Sequence, residues 1–352
     1  MITVGRTWTT GRIMTVTHGL DASTAALDPL GADAVMRSLP QANIAADTAW
    51  LHTRAVHLSQ DAARIRDAAP ARAALRDLGM LTASLARHTG RGLAPPVVEA
   101  AMLHLGNIAD EVPRETVYSY STRNPRGPRR RSFTDTPGEH LFINEVSAAS
   151  CGLDAAIEHC RYLPEAADQH EAKAAAAIVH HHLRAFAAHL VTVKRDLTPQ
   201  YFTGRLRPYF PALTIAGQTY YAPGGAQMPL LVIDVVLLNQ AVTGELASWF
   251  EQYVDDNVIY LPPHHRALVE QARGNPGLAR LAHRYPHLRT ATGLLIDDLL
   301  RFRLPHRQLA QANMAIRDEG ALGSGGYTTD ALDQLVAVTK RARILLDPGS
   351  TA

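Results

Sequence analysis

Cysteine is almost absent. The 352 residues contain only Cys151 and Cys160, which excludes a disulfide scaffold. Nine residues apart on what reads as one helix, the two thiols lie about 13 Å from each other at ~1.5 Å rise per residue, too far to bridge. They read as small core-filling side chains. An excess of charge is also missing. Lys plus Arg is 35 and Asp plus Glu is 33, a net +2, without the concentrated basic surplus of a nucleic-acid binder. Long apolar runs are lacking too. The longest, Met228 to Leu238, is interrupted by Asp234 and falls short of the ~20 residues that span a bilayer. The first twenty residues hold no continuous apolar stretch of the secretory kind. Together these absences predict a soluble cytoplasmic protein with neither nucleic acid nor membrane as partner. No strict polar–apolar alternation persists, so no sheet is expected beyond a small hairpin at Ala212–Tyr221. The glycine-rich spots at Gly224-Gly225 and Gly323–Gly326 neither follow a strand nor open a helix with phosphate-loop spacing.

What is present is 46% hydrophobic residues, too many for a disordered chain. The length exceeds the ~250–300 residues at which single cores tend to split, so two domains or one large helical body are expected. Apolar residues recur at three- and four-residue steps over 46–66, 72–88, 95–109, 139–163, 166–194, 228–240, 244–255, 264–272, 287–317 and 328–345. The fold predicted is therefore all-α. The Pro-, Gly- and Arg-rich stretch 122–139 reads as a long exposed connection. It divides a smaller N-terminal helical domain, 1–125, from a larger C-terminal one, 126–352. Arg126 and Arg129 to Arg131 in it read as solvated, with anion binding as the alternative. His180-His181-His182 cannot converge on one metal, because consecutive helix residues point ~100° apart. With His189 it reads as surface.

The segment 289–318 carries the chemistry. Leu295, Leu299, Phe302, His306, Leu309 and Ile316 form one apolar stripe, broken at Asn313, with His306 in its middle. A neutral imidazole there suits an axial metal ligand in a dry pocket; a core histidine bonded to a carbonyl is the other reading. Pro305 removes a backbone donor in mid-helix, a defect of ~3 kcal/mol that is better tolerated where something bulky must fit. Arg303, one turn earlier, projects from roughly the same face, as suits a cofactor bearing carboxylates.

Four segments in order, RLRPYFPALTIAGQTYYAPGGAQMPL (205–230), YLPPHHRALV (260–269), LLRFRLPHRQLA (299–310) and GSGGY (323–327), resemble the indoleamine 2,3-dioxygenase superfamily of heme proteins. Within it the chain looks most like the monodechloroaminopyrrolnitrin synthase family. That likeness extends to ALDPLGADAVMRSLPQAN near the N-terminus and to RSFTDTPGEHLF at 131–142. The resemblance implies a two-domain helical fold with heme b between the domains, His306 as proximal iron ligand and Arg303 paired with a propionate. It implies that Phe202 and Arg207, five apart, line the substrate pocket, with Arg207 holding a carboxylate. Gly225 and Ala226 match a small-residue loop over the heme edge, and Ser324 matches the hydroxyl of a flexible glycine-rich loop. The distal position falls near Asn144, with His140 one turn before it; these are the expected distal polar groups. Where the pyrrolnitrin enzyme has a tyrosine eight residues after the proximal histidine, this chain has Met314, which argues against the same ring rearrangement. The function expected is oxidation or oxygenation of tryptophan or a related indole, with dioxygen or peroxide as oxidant, in natural-product biosynthesis. Tryptophan 2,3-cleavage and non-catalytic heme or indole binding are the alternatives.

Overall fold

The structure, a computed structural model, describes residues 21–316, 322–323 and 325–347. Its helices are α1 (Asp33–Ile44), α2 (Thr48–Ala62), α3 (Ala68–Thr89), α4 (Pro96–Ala109), α5 (Pro137–Cys160), α6 (Gln169–Asp196), α7 (Leu230–Leu238), α8 (Glu245–Val258), α9 (Pro263–Arg273), α10 (Leu278–Arg284), α11 (Arg289–Met314) and α12 (Asp330–Ile344). Several one-turn helices join them. Among the described residues the only sheet is the antiparallel hairpin of β1 (Leu213–Ile215) and β2 (Gln218–Tyr220). The fold is all-α, as the three- and four-residue periodicity predicts. No described helix is long and apolar enough to cross a membrane.

Helix starts follow local chemistry. Asp47, Thr136 and Asp168 accept backbone N–H bonds at the first turns of α2, α5 and α6, satisfying donors that no helical carbonyl can reach. Gly90 ends α3 at φ +67°, its N–H bonded to the Ala86 carbonyl. α7, LLVIDVVLL, is apolar on every side and accordingly buried on every side except at Val236.

Two apolar cores result. The first gathers α1–α4, with α3 at its centre, and adds Tyr120, Phe133, Ile143 and the returning segment Leu206–Ala222. α3 lies so close to the 114–116 backbone that a Cβ at Gly79 would sit 2.6 Å from the Glu115 nitrogen. The second gathers α5–α12 around α7, apolar but for Asp234.

The stretch 122–139 is not the exposed connection its composition suggests. Arg123, Asn124, Arg131 and Ser132 are buried. The Asp77 carboxylate is gripped bidentately by Arg76 (2.8 and 3.1 Å) and by Arg131 (3.0 and 3.1 Å). Arg131 also reaches Asp33 at 2.6 Å, and Arg129 holds the other oxygen of Asp33 at 2.7 Å. Just downstream, the buried Glu139 carboxylate accepts from Ser132 Oγ, Tyr120 Oη and the backbone N–H groups of Phe133 and Thr134, all within 2.9 Å. Arg129 and Arg131, which composition assigns to solvent, are structural cations, because carboxylates on distant helices need them, while Arg126 is exposed as expected. Cys151 and Cys160 both lie on α5 as free thiols, and burial pushes Cys160 up to about 12.

Candidate active site

A cavity of about 330 Å³ is walled by members of both cores. Three long helices form its sides. α5 contributes Phe142, Glu145, Val146 and Ala149; α6 contributes Phe186, His189, Leu190 and Val193; α11 contributes Phe302, Arg303, His306, Leu309, Ala310, Asn313 and Met314. Each set follows the three- and four-residue steps of one helix face. The segment Phe202–Phe210 and the loop Pro223–Ala226 close other sides, with residues of 323–335 completing the wall. The lining is mostly apolar with a few polar groups, the usual character of a small-molecule site.

His306 projects into this cavity from mid-α11. Its ring stacks on Phe302 (centroids 5.2 Å apart, 20° between planes), which in turn meets Phe186 at 4.2 Å. Neither ring nitrogen makes a hydrogen bond with any described residue. Burial, reinforced by the Arg303 charge, pulls its pKa down to about 4, so the ring is neutral with a free lone pair at ordinary pH. Across the gap stands Gly225, where an added Cβ would lie 4.0 Å from Nε2. Any larger side chain there would grow toward the ring, so glycine keeps the approach to His306 clear. An unpartnered half-buried imidazole, a bare backbone facing it and apolar walls fit a planar metal-bearing group; a core histidine bonded to a carbonyl is not what the structure shows.

Arg303 lies one turn before His306 and is buried. Its guanidinium meets the Asp234 carboxylate at 2.6 Å and bonds Thr339 Oγ1. The resemblance gives this arginine to a propionate; here its charge is already balanced by the single acid of α7. Burial pushes Asp234 up to about 6, although Arg303 opposes the shift. A carboxyl whose folded pKa exceeds its unfolded value loses stability contribution as pH rises through the folded value. We expect the wild-type urea midpoint to decline between pH 4 and 6 by a component that Asp234→Asn removes. Identical pH slopes for the two proteins would show that Asp234 does not titrate there.

Phe202 and Arg207 both line the cavity. Phe202 packs on Phe142 with centroids 5.6 Å apart, and the Arg207 guanidinium donates to the carbonyls of Phe210 and Leu322. Ala226 and Met314 also line it. Ser324 lies outside the described residues. Its neighbour Gly326, at φ +84°, presses on Tyr221, whose ring atoms would be 2.5 Å from a Cβ, so only glycine fits.

His140 and Asn144 are not in the site. Asn144 is exposed and accepts from Arg130 (3.1 Å), while His140 pairs with Asp135 (2.9 Å). At ~100° per residue both fall on the side of α5 opposite Phe142, Val146 and Ala149. The α5 and α6 residues that do reach the cavity with polar groups are Glu145 and His189, hydrogen-bonded to each other at 2.7 Å. Sequence reasoning pointed to His140 and Asn144 on this helix and assigned His189 to the surface. The signal that finds them is the one that found His306, a polar residue at apolar-stripe spacing. Of the triple histidine, His180 pairs with Asp298 at 2.5 Å. No group of three or more metal-ligating side chains occurs among the described residues.

A sequence profile described as monodechloroaminopyrrolnitrin synthase PrnB matches residues 51–283, about two thirds of the chain. The chain belongs to this family. The match runs from within α2 into α10 and includes Glu145, His189, Phe202, Arg207, Gly225 and Asp234. It ends before α11, so the position of Arg303 and His306 at the cavity rests on the geometry above.

Proposed function

We propose that this member of the PrnB family is a heme-dependent oxygenase acting on tryptophan or a related indole in biosynthesis. The observation that carries the reading is His306: a neutral imidazole without a hydrogen-bond partner, aimed into an apolar cavity and faced by Gly225. His306 would hold the iron, with Gly225, Ala226 and Phe302 beside the macrocycle. Bound there, heme b supplies the oxygen chemistry, which side chains alone lack. The chain supplies the rest. Phe142, Phe186, Phe202 and Val146 exclude water and offer flat apolar surface to an aromatic ring. Arg207 offers a guanidinium at the wall, whose bond to the Leu322 carbonyl a substrate carboxylate would replace. Arg303, locked by Asp234, is a positioning residue. It fixes the turn that presents His306 and helps keep the imidazole neutral.

The test is spectral and chemical. Protein reconstituted with hemin should show a Soret band, and L-tryptophan should shift it at lower concentration than tryptamine does. Arg207→Ala should erase that preference, a loss of about ten- to a hundred-fold in affinity for the carboxylate ligand. Aerobic turnover with reductant, or with peroxide, should give an oxygenated indole product by mass spectrometry. Protein that stays colourless after reconstitution would overturn the reading.

A further inference from the structure

Two of the walls, on α5 and α6, are apolar except at one place. Phe142, Val146 and Ala149 on α5 and Phe186, Leu190 and Val193 on α6 surround a single carboxylate–imidazole pair, Glu145 with His189. The helices run antiparallel, which brings these two residues level. His189 Nδ1 lies 2.7 Å from Glu145 Oε2. The side chains remain 29% and 20% exposed, so the pair is not sealed within the helix–helix contact; it opens on the space it lines. A carboxylate accepts only, so Nδ1 carries the proton. In the neutral ring Nε2 is then a bare acceptor, and it makes no hydrogen bond with any described residue. Fixing one imidazole nitrogen to present the other is how proteins prepare a histidine for a ligand.

The other charged groups of the wall are committed. Asp234 and Arg303 neutralise each other, and the Arg207 donors reach the Phe210 and Leu322 carbonyls. Beside His306, which the reading above gives to the iron, and the Asn313 amide oxygen on α11, the Glu145–His189 pair is where the α5 and α6 walls can offer a directed acceptor to something bound. Packing does not demand it, since the residues around it on both helices are apolar and a buried polar pair gains nothing over them unless its remaining atoms find partners.

We propose that His189, oriented by Glu145, is a ligand-binding residue that accepts a hydrogen bond from a ring N–H of the bound heterocycle. This rests on the indole reading above and adds the residue that would distinguish an N–H heterocycle from its N-alkylated analogue. Calorimetric titration with indole and with 1-methylindole tests it, without heme and again after reconstitution. Wild-type protein should bind indole about three- to ten-fold more tightly. His189→Leu should bind both alike, and His189→Gln, which keeps an acceptor, should restore part of the difference. Equal affinities in the wild type, an undiminished preference in His189→Leu, or no binding of either compound would overturn the proposal. Should the variants fail to fold, the long-range ¹H–¹⁵N spectrum of wild-type protein decides: the proton on Nδ1 supports the pair as described, and the proton on Nε2 refutes it. A protein that fails to take up heme yet keeps the indole preference and loses it in His189→Leu sinks the oxygenase reading while leaving this one standing.

Discussion

Replacing His306 by glycine should abolish histidine-ligated heme in this protein, and added imidazole should restore the Soret position. No described residue near the cavity duplicates it. His189 is tied to Glu145 across the opposite helices, and His140 faces away. Because the His306 ring makes no internal hydrogen bond, its removal breaks no polar network, and the fold should survive, as circular dichroism and an unchanged urea midpoint would show. The phenotype expected on the proposed reading is then specific: at least a hundred-fold weaker hemin retention, as removal of an iron ligand at position 306 would give. Retention of a wild-type Soret band in the folded variant would place the ligand elsewhere and remove the main support for the oxygenase reading.

The largest stability effect is expected far from the cavity, at Asp77. Its carboxylate is fully buried and accepts four bonds from Arg76 and Arg131. Asp77→Ala leaves the buried Arg76 guanidinium without its anion and Arg131 with only Asp33 as a close one, and breaking such a pair typically costs about 3–5 kcal/mol. The urea unfolding midpoint should fall accordingly, with Asp77→Asn intermediate. Burial favours the neutral acid, but the two arginines outweigh it and hold the carboxyl below its ordinary value. A depressed folded pKa contributes stability that is present above the unfolded pKa and is lost as pH falls through the folded one. Acid unfolding of the wild type below about pH 4 should therefore be steeper than that of Asp77→Asn. A variant with unchanged midpoint would mean that Asp33, already bonded to Arg131, balances the pair on its own.

The helical fold and the identity of the key histidine were legible because both depend on local periodicity. The steps that predict 139–163, 166–194 and 287–317 give α5, α6 and α11 to within three residues at each end, and the hairpin lies where Ala212–Tyr221 suggested. His306 stood out because a titratable residue on an apolar stripe needs a reason to be there. Asp234 was visible in the same way, as the single charge in the longest apolar run, although its partner was not.

What the sequence by itself determined is thus which residues share a helix face, since 3.6 residues per turn is a property of the backbone. It could not determine which face meets which, because that depends on how helices distant in the chain cross. Asn144 and Glu145 differ by one position and hence by ~100° of direction. Only the antiparallel packing of α5 on α6 decides that Glu145 meets His189 at the cavity while Asn144 meets Arg130 at the surface. For the same reason Arg131 looks like a solvent-facing linker residue in the chain and is a buried counter-ion in the fold. Its carboxylate lies 54 residues away, on α3, and no local pattern in the sequence connects the two.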